Sequence, residues 1–267
     1  MNYGITPNVQ RLLLINIGVF VLMYLLNISP DVYRIFSLNS IYSGNFIPTQ
    51  FVTYMFLHDR TSIMHLLGNM FGLYMFGSML EHFLGSKKFL ILYMVCGIGS
   101  GFLYWGLNAY QVHKLGQETV AYMNGPNPDQ FANFVKSNDP RGYQNYINLI
   151  DAYGEKPDDA GIIYQTKQEV AYIYDQHTHF GLVGASGAVF GILMAFALLF
   201  PNTEMMLLFF PFPIKAKYLV GAYGLYELYQ QFQNRPDDNI AHFAHLAGML
   251  FAFILIRYWK TDRNSFY

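Results

Sequence analysis

The sequence contains few charged residues. They make up 12% of its 267 residues, about half of the ~25% found in typical soluble domains. This composition argues against an ordinary soluble enzyme, and the hydrophobic fraction of 53% argues against a disordered chain. The formal net charge is −1. The basic excess typical of nucleic-acid-binding proteins is therefore absent, and we expect no nucleic-acid partner.

Cysteine and the common metal-binding motifs are equally scarce. Cys96 is the only cysteine in the sequence, which excludes an internal disulfide and any zinc site built from several thiolates. The His-Glu-x-x-His pattern of zinc metalloproteases does not occur. The long apolar segments contain no aspartate, whereas an intramembrane aspartyl protease would need two. These absences exclude a zinc site built from thiolates, a zinc metalloprotease and an intramembrane aspartyl protease.

Charge is missing from long continuous segments rather than thinned evenly. Five segments hold no charged residue, and a sixth, residues 218–233, holds only Glu227. The five are residues 12–28, 61–80, 89–107, 176–203 and 240–256. A helix needs about 17–25 apolar residues to cross the hydrocarbon core, whereas the helices of a large soluble core would carry a polar stripe. We therefore predict an all-α polytopic membrane protein, a bundle of six transmembrane helices near residues 11–28, 62–81, 88–107, 183–201, 216–233 and 240–258.

A long polar segment separates the third and fourth predicted helices. The chain thus divides into helices 1–3 at residues 1–107, an insert at 108–180, and helices 4–6 at 181–267. Residues 141–153 and 161–175 have the pattern of short amphipathic helices. We expect an extracytoplasmic insert that is partly folded; the alternative is a flexible linker.

The basic residues predict the orientation of the chain. Eight of them fall on the side of the N-terminus, against three in the short loops of the opposite side. The eight are Arg11, Lys87, Lys88, Lys215, Lys217, Arg257, Lys260 and Arg263, and the three are Arg34, Arg60 and Arg235. Short cytoplasmic loops carry such an excess, so we expect a cytoplasmic N-terminus. No small-x-small cleavage site follows the first span, and we expect that span to be retained.

Polar residues stand at the start of three predicted helices. His65 and Asn69 begin the second helix, Ser186 the fourth and His245 the sixth. These three helices run in the same direction, so the groups should lie at one depth, roughly 5–10 Å below the outer interface at ~1.5 Å per residue. Because polar groups inside a span are costly, they indicate function.

These residue types are the ones that a serine hydrolase needs. A serine hydroxyl requires a base to accept its proton, and histidine is the usual choice. His65 and Asn69 are spaced i, i+4 and face one side of their helix, where they can donate to the negative charge that develops on an attacked carbonyl oxygen. Backbone N–H groups at the start of the fourth helix can add to them.

Small residues would let the serine and its base meet. They form strips on the fourth and sixth helices that allow close helix approach: Gly187 and Gly191 on one, and Ala244, Gly248 and Ala252 on the other.

Each feature also has a structural explanation. Glycine, serine, histidine and asparagine are ordinary packing and hydrogen-bonding residues of membrane helices, and His242 competes with His245 as the base. A transporter would favour charged residues at mid-membrane, and Glu227 is the one candidate. Its place near the outer third of the fifth predicted helix, close to Tyr226 and Tyr229, favours an interfacial role instead.

At these positions the sequence resembles the rhomboid family of intramembrane serine proteases. Gly184-Ala185-Ser186-Gly187 is similar to the Gly-x-Ser-Gly motif of that family. His245 and Gly248 match its His-x-x-Gly-x-x-x-Gly motif, with Ala252 at the second glycine. His65 and Asn69 match a His-x-x-x-Asn pair, and Glu81 with Gly85-Ser86 matches a Glu-x-x-x-Gly-Ser segment. Two departures are the long insert and residues 47–51, which lack the Trp-Arg pair common in the first outer loop.

The resemblance implies a bacterial-type rhomboid in the inner (cell) membrane that cleaves transmembrane protein substrates within the lipid bilayer. It assigns Ser186 as nucleophile and His245 as general base, a Ser–His dyad without aspartate, and it implies no metal and no cofactor. His65, Asn69 and the backbone of Ser186 would stabilise the oxyanion. Structural roles fall to Gly184, Gly187, Gly248, Glu81 and Phe190, the last stacked on His245. Substrates would enter past the second and fifth helices, beneath a cap formed by residues 234–239. A catalytically silent relative would usually lack Ser186 or His245, and both are present.

Overall fold

The computed structural model describes residues 4–179, 181–207, 210–233 and 241–259. These form eleven α-helices and four short strands. The helices are α1 (Pro7–Leu25), α2 (Pro30–Phe36), α3 (Gln50–Thr53), α4 (Ile63–Leu84), α5 (Ser86–Asn124), α6 (Pro128–Asn138), α7 (Tyr143–Glu155), α8 (Ala160–Thr178), α9 (Ser186–Leu199), α10 (Ala216–Gln233) and α11 (His242–Tyr258). The strands are β1 (Leu38–Asn39), β2 (Gly181–Leu182), β3 (Glu204–Leu207) and β4 (Phe210–Lys215). The predicted cap at residues 234–239, which includes Arg235, and the basic residues Lys260 and Arg263 lie outside the described residues.

A helix begins near each of the six predicted spans, but these helices differ in length and apolarity. Within the described ranges, α1, α4 and α5 are long and apolar enough to cross a membrane. Helices α9 and α11 are apolar but shorter, with 14 and 17 residues. Large apolar side chains such as Leu14, Leu25 and Phe71 are exposed on the outside of this bundle, as expected where lipid rather than water is the solvent.

Helix α9 is the most deeply buried of the apolar helices. It contacts α4, α5, α10 and α11, and Ile192, Ala195 and Phe196 are almost completely inaccessible. Small residues (glycine, alanine and serine) recur along it, which allows neighbouring backbones to approach closely. The helix that begins at Ser186 is therefore fixed from several sides.

Glu81 holds the start of α1 against the end of α4. Its carboxylate accepts hydrogen bonds from the backbone N–H groups of Asn8, at 3.1–3.2 Å, and Val9, at 3.1 Å. The Ser86 hydroxyl donates to the same carboxylate at 2.7 Å. The first N–H groups of a helix have no intrahelical acceptor, so a carboxylate from another helix takes the place of an N-cap. This agrees with the structural role expected for Glu81.

A two-stranded antiparallel sheet connects the loop between α1 and α4 to the segment before α9. Leu38 pairs with Leu182 and Asn39 with Gly181. Gln50 supports this loop from inside: its side chain accepts from the Asn39 N–H at 3.2 Å and donates to the carbonyl oxygens of Ile35 and Asn45 at 3.0 and 2.9 Å. Buried Gln50 thus orders the loop in a sequence that lacks the Trp-Arg pair.

The all-α prediction needs a small correction. Strands β3 and β4 form an antiparallel hairpin between α9 and α10, with Glu204 opposite Lys215 and Met205 opposite Ile214. The hairpin is hard to recognise from sequence because residues 201–215 adjoin two apolar helices. The protein remains mostly helical.

The third predicted helix continues far beyond residue 107. Helix α5 has 39 residues, about 58 Å at ~1.5 Å per residue, nearly twice the ~30 Å of a hydrocarbon core. No proline interrupts residues 108–124, and Val112, Leu115, Thr119 and Tyr122 repeat every three or four residues on one buried face. That face packs on α8 and α6, so the helix continues into the insert rather than ending at residue 107.

The insert has a hydrophobic core of its own. Phe131, Tyr153 and Val170, from α6, α7 and α8, are fully buried together with Tyr122 of α5. The Tyr122 hydroxyl donates to Thr166 Oγ1 at 2.7 Å, which ties α5 to α8. Two of these helices were predicted and α6 was missed, although Asn127 caps it by accepting from the Gln130 N–H. A core of this kind contradicts the flexible-linker alternative.

Substituting Phe131→Ala tests whether the insert folds as a separate unit. Phe131 is fully buried, with Tyr146 and Tyr153 rings 6.4 Å away, so truncation should cost about 3–5 kcal/mol. We expect limited proteolysis to cut α6 and α7 faster while residues outside 108–180 stay protected. Ala132→Gly, at a neighbouring partly exposed position, is the control. Equal protection of the Phe131 variant and wild type would contradict a separately folded insert.

Candidate functional site

Ser186 is the first residue of α9 and is partly exposed. Two residues earlier, Gly184 has φ +126°, a conformation that residues with a Cβ rarely adopt. The Gly184 N–H donates to the carbonyl oxygen of Tyr54 at 3.0 Å. This turn between β2 and α9 fixes where the helix begins, and hence the position of the Ser186 hydroxyl.

Helices α9 and α11 touch through their backbones, as the small-residue strips predicted. A Cβ added to Gly248 would clash with the carbonyl oxygen of Gly187. One added to Gly191 would lie 3.2 Å from the carbonyl oxygen of Gly248 and 2.5 Å from Cys96 Sγ. Ser186 precedes Gly187 by one residue and His245 precedes Gly248 by less than one turn, so this contact brings the two helix starts together.

His245 lies against α9 with its ring stacked on Phe190. The ring centroids are 4.1 Å apart and the planes differ by 6°, which confirms the predicted stacking. Phe190 stands one turn after Ser186 on α9, and His245 is 8% exposed. The ring is thus held flat on the helix that carries the serine.

Glu227 does not occupy the interfacial position predicted for it. It is 2% exposed, and its Oε2 lies 2.9 Å from Nδ1 of His245 and 2.5 Å from Nδ1 of His242. The prediction was wrong because it weighed only the tyrosines of the same helix, whereas the packing of α10 on α11 turns Glu227 inward. An ionisable residue in an apolar helix is the signal that could have identified it.

The same three side chains could hold a cation. Glu227, His242 and His245 each offer one ligand atom, and these atoms lie within 4.8 Å of one another. Two imidazoles and a carboxylate form a ligand set that zinc accepts. The distances of 2.5 and 2.9 Å are equally those of hydrogen bonds, in which both Nδ1–H groups donate to one carboxylate oxygen.

His65 borders the turn that precedes Ser186. Its Nδ1 accepts a hydrogen bond from the Asp59 N–H at 3.3 Å; in a neutral imidazole the proton therefore resides on Nε2. A Cβ placed on Gly184 would lie 2.8 Å from His65 Nε2 and 3.7 Å from Ser186 Oγ. The two atoms border the same glycine, with an N–H donor of His65 directed toward the turn.

Asn69 follows one turn later and is buried. Its amide nitrogen donates to the His65 carbonyl oxygen at 2.8 Å. An amide group has two N–H donors, and one of them is used within the helix by this bond. His65 and Asn69 thus form one polar unit at the start of α4.

A family model covers the helices that carry these residues. The Rhomboid domain family model matches residues 47–122 and 162–260, which is most of the chain. The chain belongs to the rhomboid family. Residues 123–161, within the insert, are the interior part that the rhomboid match leaves out. Because rhomboids are membrane proteins and several helices here are strongly apolar, this rhomboid is an integral, multi-pass membrane protein.

One relative is an uncharacterized mitochondrial rhomboid protein of the fission yeast Schizosaccharomyces pombe. It is 29% identical over 239 residues, which cover 86% of this chain. The chain spans 55% of the length of that yeast protein. The similarity extends over nearly all of this rhomboid and over about half of its relative.

Sequence reasoning missed His58, which packs beside His65 in this rhomboid. The two rings are 5.2 Å apart in an edge-to-face arrangement, and the Tyr33 hydroxyl donates to the His58 carbonyl oxygen at 2.9 Å. Within the part of the chain that the structure describes, neither ring nitrogen of His58 has a hydrogen-bond partner. Burial lowers the pKa of His58 to about 3.

Substituting Gly248→Ala should separate α11 from α9. The added Cβ would meet the Gly187 carbonyl oxygen, and relief of the clash must move the His245 backbone. Overpacking costs about 1–3 kcal/mol, and misplacing a reacting group by ~1 Å can cost ~10²-fold in rate. We expect at least tenfold slower labelling of Ser186 by a fluorophosphonate probe.

The control for this substitution is Gly106→Ala on α5, where no described atom lies within 4 Å of the new Cβ. Alanine should stabilise that helix by up to ~1 kcal/mol and leave labelling unchanged. Normal labelling of the Gly248 variant would show that the contact does not set the site geometry.

Acid should destabilise this rhomboid partly through His58. The folded chain keeps the ring neutral down to about pH 3, whereas the unfolded chain takes up a proton near pH 6.5. The contribution of His58 to the free energy of unfolding is therefore fully present above pH 6.5. It falls as the pH is lowered, by at most about 2 kcal/mol at pH 5. The melting temperature of the His58→Phe variant should fall less between pH 7.5 and pH 5 than that of the wild type.

His113→Gln is the matched control, because its ring is exposed in the folded chain. Its melting temperature should fall with acid as much as that of wild type. The same fall in the His58 variant would contradict the assignment.

Proposed function

We propose that this protein is an intramembrane serine protease that cleaves peptide bonds in or near transmembrane segments, using Ser186 and His245. The observation that carries the proposal is the backbone contact between Gly187 and Gly248. It joins the two helix starts that bear the serine and the histidine, while Phe190 orients the imidazole. Membership of the rhomboid family adds support.

The proposed reaction has two stages. Ser186 Oγ attacks the carbonyl carbon of the scissile bond as its proton passes to His245 Nε2, and the carbonyl π electrons move to oxygen. Collapse of this intermediate breaks the C–N bond, and His245 returns the proton to the leaving amine. A water molecule, deprotonated by the same imidazole, then hydrolyses the acyl-enzyme. The partial exposure of Ser186 is consistent with access by this water.

The oxyanion is proposed to lie on the His65 side of Ser186. His65 Nε2–H is directed toward Gly184, and the backbone N–H groups at the start of α9 lack intrahelical acceptors. The second N–H of the Asn69 amide can join them. Donors fixed before reaction stabilise developing negative charge without reorganisation, which is the electrostatic part of the proposed mechanism.

The membrane arrangement that fits this site has six spans, a cytoplasmic N-terminus and the active site open to the outer face of a bacterial cell membrane. The short helices α9 and α11 begin with Ser186 and, three residues in, His245, so both reactive groups lie near one membrane surface. The excess of basic residues on the N-terminal side supports the orientation. Transmembrane substrates would enter beside α4 and α10, and the insert lies on the outer side.

Active-site labelling and cleavage test the proposal together. Ser186→Ala and His245→Ala should both remove labelling by a fluorophosphonate probe and lower cleavage of a transmembrane reporter by at least ~10³-fold, without loss of the folded protein. His242→Ala should retain detectable labelling, because His242 is not proposed to be the base. Purified protein in detergent, compared by gel fluorescence and melting temperature, provides the measurement.

The rival functions predict different results. A catalytically silent rhomboid-like protein would fail to label in the wild type. If the protein is a small transporter, the probe would label neither the wild type nor the Ser186→Ala variant. The Ser186→Ala variant would still bind or transport its solute normally. Cleavage of the reporter by Ser186→Ala as fast as by wild type would refute the serine assignment.

A further inference from the structure

Glu227 is an ionisable side chain buried in the interior of the helix bundle. It lies in α10, is 2% exposed, and contacts two histidines that are 5% and 8% exposed. Burying a carboxylate without partners is very unfavourable, and ionisable groups inside membrane helices generally serve a function. For a purely structural role, any hydrogen-bond donors to the carboxylate would be sufficient. One of the two donors is instead His245, the proposed general base.

We propose that Glu227 is a positioning residue for His245, so that the site works as a serine–histidine–carboxylate triad rather than as a dyad. This inference rests on the proposed function. Glu227 touches no reacting atom; it acts through the 2.9 Å contact between its Oε2 and His245 Nδ1.

The atom that Glu227 contacts determines what it can do. A neutral imidazole carries one proton, and a carboxylate beside Nδ1 keeps the proton there, because the carboxylate can only accept. The lone pair is then on Nε2, the nitrogen that must take the Ser186 proton. When the proton has moved, the ring is positively charged and the adjacent carboxylate stabilises it.

The ring of His245 is thereby held by two different contacts. Phe190 fixes its plane through stacking at 4.1 Å, and Glu227 selects, through Nδ1, one of the two ring orientations that share that plane. Stacking alone leaves a ring flipped about its Cβ–Cγ bond equally acceptable, and the flip exchanges each nitrogen for a ring carbon, Nδ1 for Cδ2 and Nε2 for Cε1. Only the hydrogen bond to Nδ1 selects between the two orientations.

His242 restrains the carboxylate in turn. Its Nδ1 lies 2.5 Å from the same Oε2 that contacts His245, and the two histidines stand three residues apart on α11. The carboxylate therefore accepts from successive turns of one helix, which fixes its position relative to α11. This explains why a second histidine stands next to the proposed base.

Kinetics of Glu227 variants in the full-length protein test the proposal. Glu227→Gln removes the charge but retains the volume, and we expect kcat for a transmembrane reporter to fall about 10²–10⁴-fold with KM within about twofold. Glu227→Asp restores a carboxylate and should recover more kcat than the glutamine variant. Rates are expressed per folded molecule, counted from the monodisperse peak in size-exclusion chromatography, which does not depend on the reactivity of Ser186.

Glu81→Gln is the matched control. It removes another buried membrane-helix carboxylate, one that accepts from the α1 N–H groups of Asn8 and Val9 and belongs to no part of the proposed site. Its melting temperature should fall while kcat per folded molecule stays within about twofold of wild type. A loss of stability is thereby separated from a loss of positioning.

Three results would overturn the proposal. They are a glutamine variant with wild-type kcat per folded molecule, an aspartate variant no better than the glutamine variant, and activity that EDTA removes and added Zn²⁺ restores. The last would make Glu227, His242 and His245 a metal site. Failure of the protease assignment is distinct, since it would appear as cleavage by Ser186→Ala. If both Ser186→Ala and His245→Ala are inactive while Glu227→Gln matches wild type, the protease assignment holds and only the positioning role of Glu227 is rejected.

Discussion

The contact between the backbones of α9 and α11 is the constraint on which the rest of the site depends. Gly187 and Gly248 leave no room for a Cβ between the helices, and close packing of small residues is the main way that apolar helices associate in lipid. The contact fixes the distance between the helix starts, and with it the stacking of His245 on Phe190. A larger residue at the contact would displace the start of α11, and with it His245, relative to Ser186.

Polar side chains then fix orientations that apolar packing leaves free. Gln50 orders the loop that pairs with β2, Glu81 holds the start of α1, and Glu227 accepts from two histidines of α11. In each case the group bonds to a different segment of the chain. Because an unsatisfied polar group is costly inside a bilayer, each such bond selects one arrangement of the segments that it joins.

The insert is built on a different principle. Helix α5 continues past the bilayer length and contributes one face to a core with α6, α7 and α8. That core contains aromatic rings such as Phe131 and Tyr153 and is closed by amphipathic helices, as in a water-soluble bundle. The family match stops at residue 122 and resumes at 162, so it leaves out α6 and α7, whereas nearly all of α5 and α8, the helices that complete this core, lie within it.

The sequence by itself determined the apolar segments, their order and the polar residues at three helix starts, because hydropathy and short motifs are local properties. It also predicted the small-residue contact and, through a family resemblance, the Phe190 stacking. Only the tertiary structure decided the environment of Glu227, the supporting role of Gln50 and the length of α5. The partners of Glu227 and Gln50 lie on other helices or loops, and α5 is extended by packing against α8. No periodicity within one segment reveals which neighbour will satisfy a buried carboxylate, since that depends on how the helices turn when they pack.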